Sequence, residues 1–100
     1  MIRVTMRPGR ICIEGHSGYD IAGKDIVCAG VSTLLFSVVF AMKESGFYDF
    51  IEEKADDGQM RIVYQAGWGK EREADAQLDV LRKGIMLLSS KYPENVSFSF

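Results

Sequence analysis

His16 and Cys28 are the residues whose types and spacing suit covalent chemistry. His16 is the only histidine and Cys28 one of two cysteines. Both lie in the stretch Gly-His-Ser-Gly-Tyr-Asp-Ile-Ala-Gly-Lys-Asp-Ile-Val-Cys-Ala-Gly-Val-Ser, residues 15–32. His16 follows a segment that reads as a strand. Cys28 comes three residues after Asp25, where a long apolar helix is expected to begin. The positive end of a helix dipole favours a thiolate, and a nearby imidazole can take the thiol proton. A nucleophile and its base would then be in place. Backbone N–H groups at the helix start could also hold an oxyanion. Asp25 works against the thiolate unless its carboxylate is occupied in capping. On the residues alone, a packed structural thiol describes Cys28 equally well, since free cysteine is among the most buried residue types. A lone histidine is more often a surface or core residue than a base, and only geometry identifies a catalytic pair. Asp20, Asp25 or a backbone carbonyl could orient the imidazole.

The elements that must position these two residues follow from periodicity. Ile2, Val4 and Met6 alternate with Arg3, Thr5 and Arg7, the pattern of a half-buried strand over about 2–7. Arg7-Pro8-Gly9-Arg10 has the chemistry of a type II turn. Ile11 and Ile13 resume the alternation, which predicts a hairpin with its second strand over about 10–15. Residues 16–24 carry Gly18 and Gly23 without a clear period and read as a loop of some freedom, mobile in the free protein. Asp25 is a good N-cap for a helix over about 26–45 that Gly46 would stop. That helix is apolar nearly all round, which predicts cover on more than one side.

Strands are expected over about 47–54 and around Met60, Ile62 and Tyr64, joined by a turn at Asp56-Asp57-Gly58. Trp68, between two glycines, reads as an aromatic anchoring a loop. Ala74, Leu78, Leu81, Ile85 and Leu88 form one stripe of a second helix over about 71–91, with Asp79 and Lys83 pairing on its wet face and Pro93 beyond its end. Val96, Phe98 and Phe100 read as a last strand. The order is β-β-α-β-β-α-β. It predicts a small α/β (α+β) fold, residues 1–100 as a single domain, with a mixed or antiparallel sheet and two helices.

Composition excludes several classes. A chain of 100 residues, 47% hydrophobic and 26% charged, is globular and not disordered. A net charge of −2 and the absence of any Lys/Arg run argue against a nucleic-acid partner. The longest apolar stretch is interrupted by Ser32, Thr33 and Ser37, and reads as a buried helix with no membrane role. No signal core precedes the first strand. Two cysteines then suggest free thiols in a reducing, cytoplasmic setting. There is no C-x-x-C pair, and no arginine follows Cys28 closely enough for a phosphatase loop. One histidine and two cysteines fall short of a zinc set, so no metal is expected. Cys12, mid-strand, reads as structural. Asp56, Asp57 and the acidic residues of 71–75 read as solvated charges.

Gly15-His16, Gly23 and Asp25-Ile26-Val27-Cys28-Ala29-Gly30-Val31-Ser32 together closely resemble the motif of the ribosomal-processing cysteine protease family (Prp). Length, element order and Tyr92-Pro93-Glu94 fit as well. The resemblance implies a cytoplasmic homodimer that removes a short N-terminal extension from a large-subunit ribosomal protein, after a hydrophobic, aromatic-ended sequence. Phage relatives would act on capsid or scaffold proteins. It implies Cys28 as nucleophile and His16 as base, with Gly15, Asp25 and Ser32 in support. Ser17, Gly18, Tyr19, Ile21 and Gly23 would form a loop that orders over the peptide. No cofactor is implied. Ser17 and Gly30 depart from the usual alanines. The alternative is a non-catalytic, dimeric module that binds ribosomal or capsid proteins, with Cys28 merely packed.

Overall fold

The computed structural model describes residues 1–21, 24–56 and 58–100; the parts expected of Gly23 in the loop and Asp57 in the turn lie outside the described residues. Alternating side chains build β1 (Ile2–Arg7) and β2 (Arg10–Glu14). Gly9, at φ 79°, supplies the left-handed position that a type II turn needs between them. Helix α1 (Ile26–Ser45) starts at Asp25, whose carboxylate accepts from the Val27 and Cys28 N–H groups. It stops at Gly46 in the left-handed conformation. β3 (Tyr48–Asp56), β4 (Gln59–Ala66), α2 (Glu71–Lys91) and β5 (Val96–Ser99) complete the expected order.

The five strands form one sheet in the order β3-β4-β2-β1-β5. β5 runs parallel to β1, and the other neighbours are antiparallel. The sheet is therefore mixed, as expected. β3 and β4 run further than hydrophobic alternation predicts. Their polar ends pair in register, Lys54 with Arg61 and Asp56 with Gln59. Ion pairs flank that ladder, Arg61 with Glu52 at 3.4 Å and Lys54 with Asp56 at 3.7 Å. Periodicity cannot detect a strand end held by backbone bonds and charges.

Both helices lie on one face of the sheet. Ile2, Val4 and Met6 of β1, Ile11 of β2 and Ile62 and Tyr64 of β4 meet Val27, Val31, Leu35 and Met42 of α1 and Leu78, Leu81 and Ile85 of α2. The helices touch closely at Gly84, where an added Cβ would stand 2.8 Å from Leu34 Cδ2. The opposite sheet face carries Cys12, half-buried between Thr5 and Arg61.

Helix α1 is covered on two sides, by the sheet and by α2, as its apolar circumference predicts, but a third side is open. Its inner stripe enters the core, but Phe36 and Phe40 are 56% and 66% exposed. A sheet and one neighbouring helix leave its outer side to solvent. Trp68 anchors nothing: it is 97% exposed.

The fold brings five chain segments to one end of the sheet. Gly15, just past β2, donates its N–H to the Gly58 carbonyl in the β3–β4 turn at 2.7 Å. Ile2 at the start of β1 donates to Asn95, just before β5, at 2.8 Å. The N-terminus of α1 faces the same place.

Candidate active site

His16 leaves the sheet beyond β2, and Gly15 makes that exit possible. Gly15 has φ 89°, and an added Cβ would run into the Met1 carbonyl oxygen. Only glycine tolerates both the left-handed backbone and the close approach. The His16 carbonyl then accepts from the Met1 nitrogen at 2.6 Å. Its imidazole lies against the β3–β4 turn, where a Cβ on Gly58 would be 2.8 Å from Nε2.

Cys28 is half-buried in the first turn of α1. His16 and Cys28 line one cleft of about 230 Å³. Ile2, Ile13, Val31 and Met60 supply its apolar walls; Gly15, Ser32, Asp56 and Gln59 supply polar surface. The strand end and helix start thus meet, as the pairing of the two residues requires. Ser32, one turn beyond Cys28, opens onto the same cleft. The sequence reading missed Asp56, Gly58, Gln59 and Met60. Their only signal was the turn at Asp56-Asp57-Gly58, because residues so distant in the chain approach His16 only through the β2–β4 pairing.

Asp25 is the hub of the helix start. Its Oδ1 accepts from the Val27 N–H at 3.0 Å and the Cys28 N–H at 2.9 Å. Its Oδ2 accepts from the Ser17 hydroxyl, and from the Asp20 N–H at 3.5 Å. Its carboxylate is therefore engaged in capping, the condition under which it does least harm to a thiolate. The Asp20 carboxylate accepts from the Ile21 N–H at 2.7 Å. Three helix-start donors are engaged within the chain. The Val27 and Cys28 N–H groups go to the Asp25 side chain, and the Ala29 N–H goes to the Asp25 carbonyl at 3.1 Å.

Burial pushes the Asp25 carboxyl up, but hydrogen bonds from the Ser17 hydroxyl, the Cys28 and Asp20 N–H groups and the Cys28 thiol outweigh it and hold the group down at about 2. A carboxyl depressed on folding contributes stability that is full above its ordinary value of 3.8 and lost as pH falls toward 2. Asp25→Asn removes the titration while retaining an acceptor. In an acid titration followed by circular dichroism, the stability lead of the wild type over this variant shrinks as pH falls between those two values. A lead that stays constant through that window contradicts this account.

Within the described part of the loop, Ser17 is buried, at 2% exposure. Its carbonyl accepts from Asn95 Nδ2 at 2.9 Å. The Tyr19 ring packs edge-on against Tyr92, with centroids 5.3 Å apart. Periodicity could not foresee these contacts, because Tyr92 and Asn95 lie at the other end of the chain. Gly18 takes φ 71° with open space around it, and Tyr19 and Ile21 are 46% and 66% exposed. At Gly30, a methyl group would meet Leu88 at 3.5 Å, an ordinary contact.

Residues 1–97 match the family described as cysteine protease Prp. The chain belongs to that family. Solved Prp-like structures share the fold. The essential ribosomal processing protease Prp from S. aureus, in complex with a covalently linked product peptide, superposes with a TM-score of 0.82 at 24% identity, covering 98% of this chain and 95% of that one. SMU.848 from Streptococcus mutans gives 0.78 at 26% identity, covering 99% and 92%. The S. aureus protease with a substrate peptide gives 0.74 at 23% identity, covering 98% and 95%. A comparison with curated protein sequences finds no match. Prp membership makes this chain a cysteine protease.

Proposed function

We propose that this Prp protein is an endopeptidase with a Cys28–His16 dyad. The observation that carries the reading is the shared cleft: a first-turn thiol and a strand-end imidazole line one cavity with apolar walls. His16 takes the Cys28 proton, and the thiolate attacks the scissile carbonyl. The C–N bond breaks as His16 returns the proton to the leaving amine, which leaves a thioester to Cys28 that water hydrolyses. Gly15 sets the exit of His16 from the sheet, Asp25 caps the helix that carries Cys28, and Ser32 borders the bound peptide.

The substrate is the N-terminal extension of a large-subunit ribosomal protein, cut after a hydrophobic, aromatic-ended sequence in the cytoplasm. The walls formed by Ile2, Ile13, Val31 and Met60 suit an apolar side chain, and Tyr19 and Ile21 give the loop after His16 exposed apolar surface. The S. aureus relative, crystallised with substrate and product peptides, supports a peptide substrate. Incubating the chain with the extended ribosomal protein of the same genome, followed by mass measurement, tests this. A single N-terminal loss is expected. An intact protein after long incubation argues against it, and cleavage of a phage capsid or scaffold protein instead would reassign the substrate.

The chain acts as a homodimer. Phe36 and Phe40 form an exposed aromatic step on α1 that a partner copy would cover. Light scattering at micromolar concentration is expected to give twice the chain mass, and Phe36→Ser with Phe40→Ser to give the monomer. A monomeric wild type contradicts the proposal.

A further inference from the structure

Apart from tyrosines, Ser17 is the one polar residue among the described residues that is buried. It sits directly after His16. Its hydroxyl donates to Asp25 Oδ2 and accepts from the Tyr19 N–H at 3.1 Å. Its carbonyl accepts from Asn95 at 2.9 Å. Asn95 is itself fixed, since its carbonyl accepts from Ile2 at 2.8 Å and its N–H donates to Tyr92 at 3.0 Å. The other oxygen of the Asp25 carboxylate accepts the Cys28 N–H. One carboxylate thus ties the residue after His16 to the backbone of Cys28.

Buried polar groups stay only where their bonds are made, and a connected set specifies one arrangement. Without the hydroxyl, residue 17 would keep its Asn95 anchor but lose its link to the helix start. The backbone just after His16 would then lose its tie to the helix that carries Cys28, next to Gly18, which has open space around it. Misplacement of a reacting group by about 1 Å can cost up to about 10²-fold in rate.

We infer that Ser17 is a positioning residue: its bridge to Asp25, anchored from outside by Asn95, sets where the His16 imidazole stands relative to the Cys28 thiol. This rests on the dyad reading. Ser17 touches no substrate and performs no proton transfer. It acts through His16.

The test is a double-mutant cycle with two readouts: alkylation of Cys28 by iodoacetamide across pH, which needs no substrate, and kcat and KM on a cleavable peptide. Ser17→Ala is expected to move the alkylation curve to higher pH and to lower kcat about 10-fold, with KM within about twofold. In a His16→Ala background, adding Ser17→Ala is expected to change neither readout further, since the residue it positions is gone. A merely structural role would lower the unfolding midpoint while leaving the alkylation curve of the folded protein in place. Asn95→Ala, which leaves the buried hydroxyl intact, is expected to shift both readouts about threefold in the same direction and covers the case in which Ser17→Ala does not fold. If His16→Ala itself leaves both readouts unchanged, the dyad reading falls and this inference with it. If His16→Ala has its effect but the Ser17 and Asn95 variants match the wild type, or add fully to His16→Ala, only the positioning role is overturned.

Discussion

Cys28→Ser lowers kcat/KM for peptide cleavage by at least about 10³-fold while the chain stays folded. A serine hydroxyl is a far weaker acid than a thiol, so the nucleophile that the helix start and His16 would produce is lost. The fold has little reason to respond. Cys28 is only half-buried, the replacement is close in size, and the N–H that Asp25 caps belongs to the backbone. The control is Cys12→Ser. Inward-facing Ile11 and Ile13 flank Cys12, so it points to the opposite face of the sheet and cannot reach the cleft. Its variant is expected to cleave at the wild-type rate. Steady-state assays with circular dichroism on both variants decide the matter. An active Cys28→Ser removes the nucleophile assignment, and an inactive but folded Cys12→Ser transfers suspicion to the other thiol.

His16→Ala lowers kcat by roughly 10²–10⁴-fold, the range for loss of a positioned acid–base group. KM changes little, because the apolar walls that would hold the peptide come from other residues: Ile2, Ile13, Val31 and Met60. The structure also makes this a mild substitution for the fold. His16 is exposed, and its backbone carbonyl, which accepts from Met1, is kept by the substitution. Single-turnover measurements separate the chemical step from binding. Wild-type turnover in the folded variant would show that another group takes the thiol proton.

The order of elements was legible in the sequence because each signal is local. Alternation marks β1 and β2, Pro8-Gly9 marks their turn, and Asp25 and Gly46 bound α1 at the residues expected. The residues of the candidate dyad were also legible, since one histidine and one first-turn cysteine share a short stretch. The sequence was silent wherever function depends on segments distant along the chain. It could not show that Gly58 backs His16, that Asp56 and Met60 border the cleft, or that Asn95 and Tyr92 hold the loop. Nor could it show that Ser17 is buried, because its burial depends on Asp25 and on the approach to β5. Periodicity reports how each element faces its surroundings. It does not report which elements are neighbours, so the open outer side of α1 was decided by tertiary structure alone.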